Sequence, residues 1–252
     1  MIAIRFQTAL AQVTFCGALL TGSAALGATL SLDTVDQGWY RNDGSHTPSN
    51  LNTLTGRLSN GREYRSWYGF DLTAAPEDGD SQEAALTQAD AGRITGATLV
   101  FAARNGLARS SDQSETLEFY DVTSDTGQLR AGQGGLAAFE DLGSGRQYGS
   151  LDYATPGNSS RAVNQISVTL DAEALEDLNA SLATGEAQFY VGAVLSSLSS
   201  QQRSEYLWAW SRLTPAAQLN LEIAPVPLPA GLPLLAGALG GLWLLRRKRN
   251  QA

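Results

Sequence analysis

Ten short segments in which apolar and polar side chains alternate, separated by turn-forming residues, constrain this chain more than any other feature. They cover residues 29–34, 38–41, 63–72, 94–102, 116–123, 147–153, 164–170, 187–195, 205–212 and 218–223. Alternation at a period of two puts successive side chains on opposite sides of an extended strand, so each segment reads as a β-strand. Ten such strands within residues 28–224 predict an all-β domain, a jelly-roll-like two-sheet sandwich. A domain of that size can bury a full core without disulfides. One helix interrupts the pattern. Asp171 is its N-cap and Glu173 suits the positive end of its dipole. Leu175, Leu178 and Leu182 share a face, and Gly185 can end it. Residues 132–149, rich in glycine, read as loops framing short strands. Residues 76–90, acidic and without an aromatic residue, read as a solvated excursion.

Charge and composition remove most function classes. The formal charge is −8, from 17 basic and 25 acidic residues. Five of the basic residues sit at the ends: Arg5, Arg246, Arg247, Lys248 and Arg249. With those set aside, 12 arginines face 25 acids, a balance of −13 for the middle. Nucleic-acid binding needs a basic surface to neutralise phosphates, so no nucleic-acid partner is expected. The one cysteine, Cys16, lies in an apolar leader, which excludes a disulfide framework and cysteine catalysis in the mature part. The one histidine, His46, excludes multi-histidine zinc sites. It could act as a base with Ser45 or Asp43, but no nucleophile elbow accompanies it.

The two ends read as addresses. Residues 1–27 have the pattern of a secretory signal peptide: Arg5, an apolar run from Ala9 to Leu20, and small residues around Ser23–Ala28. At the other end, residues 225–252 begin with Pro225, Val226, Pro227, Leu228, Pro229 and Ala230. From Leu228 to Leu245 there are 18 uncharged residues, followed by Arg246, Arg247, Lys248 and Arg249. As a helix that span would be about 27 Å long, close to the hydrocarbon core of a bilayer. Trp243 falls near the interface, and the basic cluster marks the cytoplasmic side.

This tail resembles the PEP-CTERM class of sorting signals, in its Val-Pro-Leu-Pro-Ala variant. Motif, apolar span and basic cluster occur in the family's order. The resemblance implies an exosortase, a membrane cysteine protease-transpeptidase, as partner. It implies anchoring in the inner membrane through the C-terminal helix, then passage to the cell surface or exterior, often beside exopolysaccharide. A second resemblance covers Arg65-Ser66-Trp67-Tyr68-Gly69-Phe70-Asp71-Leu72 and Ile94-Thr95-Gly96-Ala97-Thr98-Leu99. It is similar to secreted jelly-roll modules with an R-x-x-x-x-F-D-L strand before I-x-x-A-x-L. Several of these bind polysaccharide, others are structural parts of surface proteins, and such modules often carry a structural calcium.

Candidate binding residues follow from alternation along strand 63–72. Tyr68, Phe70 and Leu72 share the face that reads as core. Trp67 takes the other, with Arg65 and Asp71. There Trp67 is either an exposed platform for stacking a sugar ring, its charged neighbours bonding hydroxyls, or a ring packed under a loop. Tyr206, Trp208 and Trp210 share one face of a late strand and form either core or an open aromatic ladder. Asp33, Asp36, Asn42 and Asp43 are oxygen ligands close in sequence, and are candidates for Ca²⁺ without EF-hand spacing. The expectation is an exported, exosortase-sorted surface or matrix protein. Its β-sandwich would be non-catalytic, structural or polysaccharide-interacting, with no cofactor beyond that candidate Ca²⁺. The alternative is a polysaccharide lyase or glycoside hydrolase acting on exopolysaccharide. A further alternative is a self-associating matrix protein without a sugar site.

The sorting reading has a direct test. Replacing Pro227, Leu228 and Pro229 by alanine should leave full-length protein in the inner membrane, as read by fractionation and intact mass. Normally processed surface protein from that variant would contradict it.

Overall fold

The computed structural model describes residues 27–74, 85–155, 161–199, 203–209, 217–225 and Arg246, with all their side chains except those of 102–107, 161–165 and 208–209. The chain divides into two compact units, Gly27–Pro225 and a second made of Met1–Leu26 with Val226–Ala252. The leader up to Leu26, the motif Val226 to Ala230, the span 228–245 and the basic residues Arg247, Lys248 and Arg249 lie outside the described residues. Among the described residues no helix is long and apolar enough to cross a membrane.

Ten strands and three α-helices make up the described part of the first unit. The strands are β1 (Ala28–Arg41), β2 (Thr53–Arg57), β3 (Glu63–Asp71), β4 (Ile94–Arg109), β5 (Ser114–Asp121), β6 (Gln147–Ala154), β7 (Arg161–Thr169), β8 (Gln188–Leu195), β9 (Glu205–Ala209) and β10 (Gln218–Ile223). The helices are α1 (Thr126–Ala131), α2 (Gly135–Asp141) and α3 (Ala172–Thr184), and a 3₁₀ turn spans Gln88–Asp90. Every strand pairing is antiparallel, as an all-β domain requires. The hydrogen-bonded order is β1-β10-β4-β9-β2-β3-β8-β5-β6, with β7 on β4 and β1 also on β3.

Two long strands carry the topology. The first half of β1 pairs with β10, from Ala28 opposite Ile223 to Asp33 opposite Gln218. Its second half pairs with β3, from Thr34 opposite Phe70 to Arg41 opposite Tyr64, and the register shifts between Thr34 and Asp36. A bulge at that point bends the strand and lets one segment serve two sets of partners. The segments 29–34 and 38–41 are thus one strand. β4 behaves likewise, pairing with β10 and β7 and, farther along, with β9. β2 has no counterpart among the ten predicted segments. Its sequence, Thr-Leu-Thr-Gly-Arg, offers one apolar side chain and too little alternation.

The main core gathers Leu30, Leu32, Tyr68, Phe70, Leu99, Phe119, Val191, Leu219 and Leu221, with Leu178 and Leu182 of α3 packed on it. Tyr68, Phe101 and Phe119 form a run of ring contacts through it, at centroid separations of 4.9 and 5.7 Å. α3 matches its sequence signals. The Asp171 side chain accepts from Ala174 N, Gly185 is left-handed at φ 77°, and Leu178 and Leu182 are buried. The expectation of a single helix is corrected by α1, in a stretch given no element, and by α2, which falls where loops were expected. Asp125 caps α1 by accepting from Gln128 N, and left-handed Gly132 ends it. Both helices are a turn or two long, too short to show a clear 3.6-residue period. In the segment expected to be solvated, Leu86 is 6 % exposed and joins the core.

Phe70 is fully buried in this core. Phe70→Ala should cost about 3–5 kcal/mol, from lost burial and the cavity left behind. Denaturant titration monitored by tryptophan fluorescence reads that loss. A midpoint within error of the wild type would overturn the register of β3.

Candidate functional site

The sugar platform expected at Trp67 is not on the surface. Trp67 is 1 % exposed and belongs to a second core with Tyr40, Leu129, Ala138, Phe139, Leu142 and Tyr190. The physical reason is the cover formed by α1 and α2, which buries the face of β3 that alternation assigns to solvent. Glycines on neighbouring strands give this cover its close fit. Gly38 lies opposite Trp67 in the register, and any Cβ there would overlap the indole ring. Gly192, on the other side of Trp67, lies so close to Leu142 that a Cβ would stand 2.7 Å from its carbonyl oxygen. Arg65 Nη1 donates to the Phe139 and Glu140 carbonyls at the end of α2, 3.1 Å each, and its guanidinium stacks on Phe139. A cation suits that helix end. Asp71 accepts from the backbone and hydroxyl of Thr73. The three residues therefore make no common site. Of the late aromatic strip, Tyr206 is half-buried, and the side chains of Trp208 and Trp210 lie outside the described residues.

The candidate calcium ligands are likewise engaged separately. Asp33 accepts from Gln218 Nε2, Asp36 from Arg130 Nε and the Tyr190 hydroxyl, and Asn42 donates to the Gly61 carbonyl. Asp43 pairs with Arg41, which holds its carboxyl well below the usual carboxylate range. Neighbours in sequence diverge here because Asp33 and Asp36 lie on β1 either side of its register shift, whereas Asn42 and Asp43 lie in the turn after it.

A cleft of about 540 Å³ opens between α3, the loop from β5 into α1, and the start of β8. Asp125, Asp177 and Glu186 supply carboxylates. Thr123, Ser124, Thr126, Ser181 and Tyr148 supply hydroxyls, Gln188 an amide, and Phe189 and Tyr190 apolar surface. No Arg, Lys or His is among the described residues that line it. Its walls are pinned by hydrogen bonds. Asp141 of α2 accepts from Thr123 N and Ser124 N, at 3.0 and 2.9 Å. Asp177 of α3 accepts from the Tyr148 hydroxyl at 2.7 Å and from Arg146 Nη1 at 2.6 Å. Burial, reinforced by that hydrogen bond to Asp177, pushes the Tyr148 phenol up, so it stays protonated. Tyr190 donates to Asp36 at 3.1 Å and accepts from Arg130, and burial raises its phenol too. Asp125 could have been suspected from its helix-capping spacing. Tyr148 and Asp177 are 29 residues apart, and only the packing of α3 brings them together.

Asp112, Glu115 and Glu205 form a carboxylate group whose oxygens lie within 4.8 Å of one another, and they are the described residues best placed to hold a cation. Two of the three are deeply buried, Glu115 at 3 % and Glu205 at 0 % exposed. Both are already hydrogen-bonded. Glu205 accepts from Arg57, Ser111 and Ser199, and Glu115 from Ser110 and Ser197. The network ties the β4–β5 turn and the β8–β9 connection to the end of β2. Burial raises the Glu115 carboxyl above its ordinary value. The Ser110 and Ser197 hydroxyls oppose the shift, and the nearby charges of Glu205 and Asp112 add to it.

No family model matches the chain, and no curated protein does. Among solved structures, the chain is similar to the K1 cleaved adhesin domain of Lys-gingipain from Porphyromonas gingivalis W83, at 14 % identity. That match covers 80 % of this chain and 100 % of the other, with a TM-score of 0.22, and at that score it carries no argument.

The Glu115 shift gives a pH dependence with a definite sign. The folded state holds the Glu115 proton more tightly than the unfolded chain does. Its contribution is full below the ordinary value of 4.5 and is lost as pH rises through the raised folded value. Glu115→Gln removes this titration, so its Tm should exceed that of the wild type at pH 7, with the gap closing towards pH 4. A Tm below the wild type's at pH 7 that stays below it by the same margin at pH 4 would contradict this.

Proposed function

We propose that the protein is an exported surface or matrix protein whose jelly-roll-like β-sandwich binds neutral polysaccharide without catalysis. The tail that resembles a Val-Pro-Leu-Pro-Ala sorting signal supports the route: secretion, a stay in the inner membrane, exosortase processing and release to the cell surface. The observation that carries the binding reading is the cleft lined by carboxylates, hydroxyls, an amide and two aromatic rings, without a cation. Sugar hydroxyls can donate to Asp125, Asp177, Glu186 and Gln188, while Phe189 and Tyr190, buried behind them, give the cleft a rigid floor. A net negative lining repels anionic glycans and leaves neutral ones as the favoured class. The non-catalytic reading draws support from Tyr148. Proton abstraction next to a uronate needs a phenol that loses its proton easily, and burial with Asp177 holds this one protonated.

Glu186 and Gln188 are exposed at the rim of the cleft, so changing both to alanine should leave the core intact. Two lost sugar hydrogen bonds at about 0.5–1.5 kcal/mol each correspond to about 5- to 150-fold weaker retention. Affinity electrophoresis in gels containing neutral or acidic polysaccharides measures it. Retardation by neutral glycans that falls in the double variant supports the reading. A folded wild type that no neutral glycan retards overturns it, and unsaturated or reducing ends released from the gel polymer would replace it with the lyase or hydrolase alternative.

A further inference from the structure

His46 lies in the turn between β1 and β2, wedged among aromatic rings. Its centroid is 4.9 Å from that of Trp67, 5.2 Å from Tyr40 and 5.5 Å from Trp39. It also touches the cover. A Cβ on Gly132, at the end of α1, would stand 3.4 Å from the His46 carbonyl oxygen and 3.5 Å from its ring. The same turn meets α2, where Gly44 lies against the backbone of Gly135 and Leu136. One ring nitrogen, Nδ1, is buried without a hydrogen-bond partner, as are Ser45 Oγ and Trp67 Nε1. A neutral imidazole tolerates a bare Nδ1. An imidazolium must place an N–H there, with a full charge, where no water reaches and no anion is bonded to it.

We infer that His46 is an acid-released latch, holding the α1–α2 cover on the sheet at neutral pH and loosening it when the ring is protonated. The elements around it bring in several titratable groups. β1 carries Asp36, Tyr40 and Arg41, and β3 carries Tyr64 and Arg65. α1 carries Arg130, α2 carries Glu140 and Asp141, and the turn itself carries Asp43. Asp36 is the anion that favours the charged ring, and it is already paired with Arg130. Burial outweighs Asp36 and a hydrogen bond to the Trp39 backbone, and lowers the histidine below its ordinary value. The sign follows. The unfolded or opened chain binds the proton more readily, so the latch is fully effective above about pH 6.5 and weakens as pH falls below it.

The latch reaches the cleft through α1. This helix has six residues; its last turn meets His46 at Gly132, and its first residue, Thr126, lines the cleft together with Asp125 and Ser124. Acid would therefore release ligand from the cleft. That consequence rests on the binding reading above, whereas the latch does not.

His46 is the chain's one histidine, so its ring Cε1–H resonance in the full chain reports its titration directly. A midpoint below 6.5 is expected, and one at or above 6.5 overturns the latch. Amide hydrogen exchange of residues 126–141, corrected for intrinsic rates, should lose protection as pH falls from 6.5 to the ring's folded midpoint, by at most about tenfold per pH unit, the limiting slope of a one-proton linkage, and level off below it. His46→Phe keeps a ring and removes the proton, so its protection should not respond to pH. Equal protection in the wild type at pH 7 and 5 also overturns the proposal, whether or not the variant folds. Neutral-glycan retention compared at the same two pH values separates the two readings. Exchange that opens while no glycan binds at either pH keeps the latch and removes the glycan site. Glycan binding with protection independent of pH does the reverse.

Discussion

The hydroxyl of Tyr40 joins β1 to the end of α1 and the start of α2. It donates to the Leu129 carbonyl at 3.0 Å, near the end of α1, and accepts from Gly134 N at 3.0 Å, at the start of α2. Its ring, fully buried, packs against Trp67 on β3. The Gly134 N–H at the start of α2 is thereby satisfied within an apolar layer, and the Leu129 carbonyl, which already accepts from Gly132 N, gains a second donor. With them in place, two helices too short to persist alone become a fixed cover over the sheet. β3 then has no solvent face. Tyr68 and Phe70 enter one core, Trp67 enters another, and Ser66 between them is buried as well.

Everything the cleft needs depends on that cover. The loop from β5 into α1 forms one wall because Asp141, on α2, holds the backbone of Thr123 and Ser124. Arg65 and Asp36, residues that a sequence reader assigns to ligands, serve the cover instead. Arg65 binds the carbonyl end of α2, and Asp36 binds Arg130 of α1. The charged residues that line the cleft are carboxylates, with Arg130 and Arg146 bonded to Tyr190 and Asp177 from beside it, which fits a partner that offers hydroxyls rather than anions.

Glu115 and His46 pull stability in opposite directions. Glu115 favours the folded state when protonated, whereas His46 favours it when neutral. They sit in different layers, the first among the connections at the end of β2, the second beneath α1 and α2. Acidification therefore relieves one end of the domain while straining the cover, so an acid response can be local rather than a general loss of fold.

Much of this was legible in the sequence, for identifiable reasons. Strands announce themselves where apolar and polar side chains alternate, as in β5 and β10, whereas β8, buried at every position after Gln188, shows as a continuous apolar run. α3 was readable because it is long enough to show a buried face and carries both caps, Asp171 and Gly185. Phe70 was assigned to the core because it shares a face with Tyr68 and Leu72 and alternates with Gly69 and Asp71. Tertiary structure alone decided the rest. Alternation says which side chains share a face, not what lies against that face, so the fate of Trp67 depended on α1 and α2, 59 to 74 residues away along the chain. The same holds for the cleft and for the Glu115–Glu205 pair, whose members come from separate elements, that pair meeting where the far end of β4 pairs with β9.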